Sequence, residues 1–351
     1  MKAVRFHTHG DVGVLRYEDA PDPQPAPGRA IVRVHACALI HLDLWARRGI
    51  ERLKIPLPHV SGADVAGEIA DIADRSLAPG TRVMLQPGLR CGACPACRAG
   101  RDNQCVRYDV LGLMSDGGYA EFVSVPIDNV VPIPPQIDAV AAAAFPLTFL
   151  TAWHMLVDRA HVRSDDVVLV LAGGSGVGQA AIQIASFFCA RVFATAAPAK
   201  IERTRALGAE DVFDHYAADY ARELKRATDG HGADVVIEHV GEATWERSVR
   251  ALASGGRLVT CGATTGHQAA LDLRHLFARQ LSLLGSYMGT FADLRSAAEL
   301  LFNGRVRPAI DEVFPLDQAA EAQRRLEHKD QFGKIVLEVA KGTGSGVPAS
   351  N

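Results

Sequence analysis

The sequence predicts an α/β protein of two lobes, a mostly antiparallel β lobe and a doubly wound parallel-sheet lobe. Three observations predict it. The first 130 residues or so alternate short β-branched runs with turns rich in proline and glycine. From about Ala139 the texture changes to alanine-rich helical patterning, and beyond that point apolar strands alternate with helix-period segments. At 351 residues and 48% hydrophobic content, the chain is too long for one compact core and apolar enough for two.

In order along the chain, Met1 to Phe6 reads as a strand instead of a signal peptide, and Ala30 to Val34 and Thr81 to Leu85 follow as strands, with Pro21 to Gly28 as a turn. Strands at Val167 to Leu171, Arg191 to Thr195, Asp234 to Glu238 and Arg257 to Cys261 each adjoin a helix-period segment, the signature of βαβ units. A helix over Ala292 to Asn303 leads to a last strand, Lys334 to Val339, which is expected to return to the first lobe. The expected division is therefore 1–149 for the first part of the β lobe, 150–287 for the parallel-sheet lobe, 288–340 for completion of the first lobe, and 341–351 as a disordered tail rich in Gly, Ser and Pro.

The formal charge of -3 gives no electrostatic reason to expect nucleic acid or an anionic membrane, so a small-molecule partner is expected. No apolar run approaches the roughly 20 residues that span a bilayer, and a cytoplasmic location is the expectation. Of seven cysteines, four crowd into one segment, which points to metal rather than to disulfides. Cys37, Cys189 and Cys261 are expected to be buried and inert.

The apolar run Val167 to Leu171 leads directly into Ala172-Gly173-Gly174-Ser175-Gly176-Val177-Gly178 and then the helical Gln179 to Phe188. Glycines let the backbone turn tightly and approach a pyrophosphate, whose charge is favoured by the free amides of a helix start. A dinucleotide is thus the expected cofactor. An NAD-selective site offers a carboxylate after the next strand, where this chain reads Ala194-Thr195-Ala196-Ala197. Lys200 and Arg203 follow and can meet a 2′-phosphate, which favours NADP(H) over NAD(H); the alternative is that both are ordinary solvated residues.

Cys91, Cys94, Cys97 and Cys105 give C-x2-C-x2-C-x7-C, a spacing that lets four thiolates wrap one tetrahedral zinc. Four protein ligands close the shell, so this Zn2+ would be structural. An iron–sulfur cluster or an empty reduced loop are the rivals.

Together with Pro23 and Gly28, the segments Asp116 to Phe122, Phe145 to Trp153 and Gly255 to Val259 complete a pattern that resembles the medium-chain dehydrogenase/reductase superfamily, over nearly the whole chain. That resemblance implies a GroES-like β lobe, a Rossmann lobe and an active site between them. Zinc alcohol dehydrogenases of this family bind catalytic metal through a Cys-His-Thr/Ser segment, a Gly-His-Glu segment and a later cysteine, leaving one position open for the alcohol. Here the first reads Ile40-His41-Leu42-Asp43, the second Gly62-Ala63-Asp64, and the third falls near Leu147. The usual ligands and the first hydroxyl of the proton relay are missing.

Hydride transfer to a conjugated carbonyl in a quinone, enone, enal or enoyl thioester needs no metal, and it is the expected reaction. The stretch His41 to Gly49 looks like the Asn-x-x-Asp-x-x-x-Arg-x-Gly of quinone oxidoreductases, with His41 near their amide. His41 and Asp43 are the candidate catalytic residues. His41 can donate a hydrogen bond or a proton near neutral pH, whereas Asp43 has a competing structural reading, paired with a base such as Arg48. Trp45 reads as pocket lining or core. By family position, Thr151, His239, Val240, Cys261, Gly262, Ala263, Thr264, Ser286, Tyr287 and Lys334 are implied cofactor contacts, and Gln280 to Ser286 is implied as the edge strand of a homodimer. Two rivals stay open. One is a zinc alcohol dehydrogenase with a rearranged site drawn from His41, His59 and Asp64; the other is an NADP(H)-binding protein that has lost catalysis.

Overall fold

The computed structural model describes residues 1–72, 77–216 and 219–339. The tail from Lys341 to Asn351 lies outside the described residues.

The β lobe is organised on one long strand, Arg29–Ala38, nearly every residue of which is buried. One edge of it pairs antiparallel with Asp64–Ile72. Its other edge is divided: Arg29 to Arg33 pair with Phe122–Pro126, and Ala36 to Ala38 pair with Lys334–Glu338. A register shift between Val34 and Ala36 accompanies the exchange of partner, as a bulge bends one strand past two neighbours. The full path runs Ile310–Pro315, Lys334–Glu338, Arg29–Ala38, Asp64–Ile72, Arg82–Leu85, Val130–Pro132. The end of the chain is thereby stitched to its beginning, and the segment 329–334 is delivered to the face of the second lobe.

The second lobe is a six-stranded, wholly parallel sheet in the order Asp211–Asp214, Arg191–Ala196, Val167–Val170, Ala233–Glu238, Leu252–Thr260, Ser282–Gly285. Val167–Val170 is apolar throughout because it is buried on both faces at the centre. The strand order reverses between it and Ala233–Glu238, which opens a crevice at the carboxyl ends of those two strands. Both lobes follow the fold class read from the sequence.

Two expectations need correcting. The strand expected from Arg257 begins at Leu252, which pairs with Ala233 across a register shift. Gly255, at φ +77°, and Gly256 interrupt the side-chain alternation there, so the sequence pattern hides the first half of the strand. Cys189 is exposed, not buried, because it turns the chain at φ +60° just past the helix Gly176–Phe187; Cys261 is half-buried.

Candidate active site and metal centre

The glycine loop sits at the strand reversal and is fixed from three sides. Thr195 accepts the Gly173 amide on its carbonyl at 2.7 Å and the Ala172 amide on its hydroxyl at 3.0 Å. Ser175 caps the helix Gly176–Phe187 by accepting the Gly178 amide at 3.0 Å. Gly178 packs against the Ala172 carbonyl, where a side chain has no room. Across the reversal, His239 Nε2 lies 2.8 Å from the Leu171 carbonyl and 3.5 Å from Ser175 Oγ.

The neighbouring strand ends converge on the same crevice. Glu238 is fully buried and accepts the Val240 and Gly241 amides at 2.6 and 3.1 Å and the Thr244 and Ser248 hydroxyls at 2.9 and 2.6 Å. That carboxylate holds the turn carrying His239 and Val240. Thr264 donates to the Val240 carbonyl at 3.3 Å, Ala263 packs on Gly241, and Gly262 lies against His239. Ser286 continues the last strand by donating its amide to the Thr260 carbonyl at 2.8 Å. Thr151 is buried on the helix Pro146–Trp153, and the Tyr287 side chain is largely exposed. Gly174, Gly176 and Val177 complete the loop, and Ala196 ends the strand beside it.

Lys200 and Arg203 face the β lobe. Lys200 Nζ donates to the Lys329 carbonyl at 2.6 Å, and the Arg203 guanidinium stacks 4.1 Å over Phe332. Gly333 donates its amide to the Gly174 carbonyl at 2.8 Å, so the segment that brings Lys334 also touches the glycine loop. Lys334 Cδ lies 3.3 Å from where a Gly176 side chain would start.

On the β-lobe wall, Lys334 Nζ donates to Asp64 Oδ2 at 2.7 Å in a fully buried pair, and Asp64 Oδ1 accepts the Leu147 amide at 2.7 Å. His41 is half-buried at the start of the helix His41–Arg48. Burial, reinforced by the positive fields of His239, Lys329 and Lys334, pushes its pKa down to about 4. The imidazole is therefore neutral at pH 7, and the expectation of a proton donated near neutrality narrows to a hydrogen bond.

Asp43 does not pair with Arg48. Its carboxylate accepts the Ile40 amide at 2.8 Å, the Gly62 amide at 3.2 Å and the Tyr119 hydroxyl at 3.1 Å. The helix turns Arg48 outward to Glu327, at 2.8 Å, while the fully buried arginine of the segment is Arg47, also on Glu327. Burial pushes Asp43 up to about 7, against the Ile40 and Tyr119 hydrogen bonds and the Lys334 charge. Trp45 is 42% exposed, so it is not core. His59 is a packed loop histidine: Nε2 lies 2.9 Å from the Gly112 carbonyl and the ring meets Phe6 edge-on at 5.3 Å.

Cys91, Cys94, Cys97 and Cys105 bring their sulfurs within 4.8 Å of one another, with Cys91 to Cys97 at 3.9 Å and Cys94 to Cys97 at 3.5 Å. Tetrahedral zinc with bonds of about 2.3 Å separates sulfurs by about 3.8 Å, so the residues fit the ion. Amides of Cys91 and Arg107 point at Cys105 Sγ, and that of Cys94 at Cys91 Sγ, each at 3.3 Å. Among the described residues, the other such group is His154, Asp158 and Asp293; neither contains His41, His59 or Asp64.

Sequence reading missed Tyr119, which holds Asp43, and Glu238, an acid closing an apolar strand. It also missed His215, which follows the strand Asp211–Asp214 near Lys200 and whose Nδ1 is buried with no hydrogen-bond partner among the described residues.

Residues 26–135 match the alcohol dehydrogenase GroES-like domain, and residues 176–303 match the zinc-binding dehydrogenase family. A solved structure of an NAD-dependent alcohol dehydrogenase is 45% identical, with a TM-score of 0.94, over 97% of this chain and 100% of that one. An NAD-dependent alcohol dehydrogenase from Sulfolobus acidocaldarius is 30% identical over 97% of this chain and 100% of its own. A quinone oxidoreductase from Pongo abelii is 27% identical over 96% and 97%. Among the described residues, no helix is long and apolar enough to cross a membrane.

Proposed function

The chain belongs to the medium-chain dehydrogenase/reductase superfamily of oxidoreductases, and on that premise we propose that it transfers hydride from NADP(H) to a conjugated carbonyl acceptor without a catalytic metal. Quinones, enones, enals and enoyl thioesters make up that acceptor class. One observation carries the reading. Where alcohol dehydrogenases of the family place metal ligands, this chain has Ile40, Ala63 and Leu147, and the charge beside them is the Lys334 ammonium, 2.7 Å from Asp64.

When bound, the reduced nicotinamide supplies the hydride. The amides of Gly174, Gly176 and Val177, at the start of a twelve-residue helix, favour the pyrophosphate, with Lys334 adding positive charge beside Gly176. His239, Val240 and Gly262 to Thr264 line the crevice next to the loop, and Thr151, Ser286 and Tyr287 are assigned to its nicotinamide end. Lys200, with His215 nearby and no carboxylate at Ala196 or Ala197, supports the 2′-phosphate form. Neutral His41 donates a hydrogen bond to the acceptor oxygen as it becomes an enolate oxygen, and Asp43 positions the helix start that carries His41 by holding the Ile40 amide. A proton from solvent completes the product, a hydroquinone from a quinone or a saturated carbonyl from an enone, enal or enoyl thioester.

The four cysteines would hold one structural Zn2+. The open edge strand Ser282–Gly285 and the exposed Leu273 and Phe277 beside it support a homodimer with that strand at its two-fold axis.

A second reading, alcohol oxidation, is favoured by the 45% identity to an NAD-dependent alcohol dehydrogenase. Steady-state assays separate the two. The proposal expects NADPH oxidation by members of a panel of quinones, enals and enoyl-CoA esters, with no gain on adding zinc. Alcohol oxidation by NAD+ that rises with added zinc, without reduction of any panel member, would overturn it.

A further inference from the structure

The return crossover, residues 286–291, carries the chain from the last parallel strand, Ser282–Gly285, back to the helix Phe291–Phe302 of the β-lobe side. It is gripped from two sides. On one side stands the four-cysteine loop. Between the ligands Cys97 and Cys105 that loop carries Asp102 and Asn103 on a 3-10 turn. Asp102 is buried and accepts the Phe291 amide, the first of the helix, at 2.9 Å. Asn103 Nδ2 lies 3.2 Å from the Tyr287 carbonyl and 3.2 Å from His154 Nε2. Arg90, just before Cys91, stacks its guanidinium 4.1 Å over the Phe291 ring, and Tyr108, just after Cys105, meets the Tyr287 ring edge-on at 5.7 Å.

The opposite side of the crossover lies on the helix that carries Thr151. A side chain at Gly289 would start 2.6 Å from Leu150 Cδ1 and 3.1 Å from His154 Cβ. His154 Nδ1 lies 2.9 Å from Asp293 Oδ2, which also accepts the Thr290 amide at 2.7 Å. The crossover is thus a thin layer between the cysteine loop and the helix, and each contact on the loop side comes from a residue whose position the loop's own conformation dictates. A 3-10 turn of three residues, Asp102–Gln104, has little cooperative stability of its own, so its shape depends on what ties Cys97 to Cys105.

We infer that the four-cysteine loop is the latch of the interlobe crossover: through Asp102 and Asn103, its metal occupancy sets the order of residues 286–291 and of the nicotinamide end of the cleft. Removing the ion removes the bonds that tie Cys91, Cys94, Cys97 and Cys105 to one centre, the loop opens, and the Phe291 amide and Tyr287 carbonyl lose their partners. Asp102 and Asn103 are positioning residues in this scheme. The consequence for cofactor rests on the assignment of Tyr287 and Thr151 to the nicotinamide end; the consequence for the crossover does not.

Hydrogen exchange on the full-length protein, read peptide by peptide, tests the latch. Three samples are compared with the zinc-loaded protein: the chelator-treated protein, Asn103→Ala and Asp102→Ala, the two variants with zinc content measured. Chelation is expected to speed exchange at 286–292 at least tenfold while the strand Arg29–Ala38 stays protected. Asn103→Ala, with its zinc retained, is expected to speed the same peptides and to weaken NADPH binding, read by fluorescence, about fivefold or more. Acceleration confined to 88–110 on chelation, or crossover protection unchanged in Asn103→Ala, would overturn the inference. If the unmodified protein fails to bind NADPH, the cofactor reading falls, and the exchange comparison still decides the latch.

Discussion

Lys334 Nζ and Asp64 Oδ2 meet at 2.7 Å with both side chains out of contact with water, one from the last strand of the chain and one from the second strand of the β-lobe core. Two charges are buried here at considerable desolvation cost, and each is tolerable only because the other is present. Asp64→Ala is expected to lower stability by about 3–5 kcal/mol, because it strands the ammonium. Asp64→Leu combined with Lys334→Met is expected to regain most of that loss while still weakening cofactor binding. Urea denaturation with the NADPH dissociation constant measured alongside checks this; a double variant no more stable than Asp64→Ala would show that the pair is not the source of the effect.

His41 is predicted to act as a neutral hydrogen-bond donor. His41→Ala should lower kcat/KM for the acceptor by about 100-fold with cofactor affinity unchanged, the size of losing one donor to a developing oxyanion. With its pKa pushed down to about 4, His41 contributes no step to the activity profile between about pH 5 and 8. It also shapes stability. The unfolded chain takes up a proton on this side chain below its ordinary value near 6.5, which the folded protein accepts only near 4, so its contribution is present above 6.5 and lost as pH falls through that window. Asp43 acts in the opposite sense. Pushed up to about 7, it keeps in the fold a proton that the unfolded chain releases near 4, so its contribution is full below 4 and fades as pH rises to 7. The two slopes oppose each other over nearly the same window, so His41→Gln should make stability fall more steeply as pH rises from about 4 to 6.5, and Asp43→Asn should make it rise more steeply from about 4 to 7; identical profiles for all three proteins would refute both assignments.

Cofactor choice is expected to reside in Lys200. Lys200→Ala should reduce the preference for NADPH over NADH about tenfold, roughly 1.4 kcal/mol, by weakening NADPH alone. Fluorescence titration of both nucleotides decides it, and tighter NADH binding by the unmodified protein would contradict the proposal at its root.

Much of this architecture was legible before any coordinates. Val167 to Val170, four consecutive apolar residues running into a glycine turn, announces a central parallel strand because only burial on both faces permits such a run. The four cysteines were legible from their spacing alone. Other features were not. The Asp64 to Lys334 pair joins residues 270 apart in sequence, and nothing local in either segment encodes the partner. Arg47 and Arg48 are adjacent, and one residue of helical rotation decides which is buried; the family pattern, read with Arg48, pointed to the exposed one. His41 was singled out by type, but its neutral state depends on burial and on basic groups contributed by two other segments, which no pattern in its own segment reveals.

The proposed dimer follows from the unpaired edge of Ser282–Gly285, flanked by Leu273 at 64% and Phe277 at 70% exposure. Sedimentation is expected to give a species of twice the 37.5 kDa chain mass. Phe277→Asp together with Leu273→Asp should shift it toward monomer. A dimer of undiminished strength in that variant would place the interface elsewhere.

In the proposed reaction, hydride passes to the acceptor with no metal polarising it. Elemental analysis of extensively dialysed protein, with NADPH-dependent acceptor reduction measured on the same sample, tests it most directly. About one zinc per chain and full activity are the expected result. Two metals per chain, with activity lost when the second is removed and restored when it is returned, would contradict it.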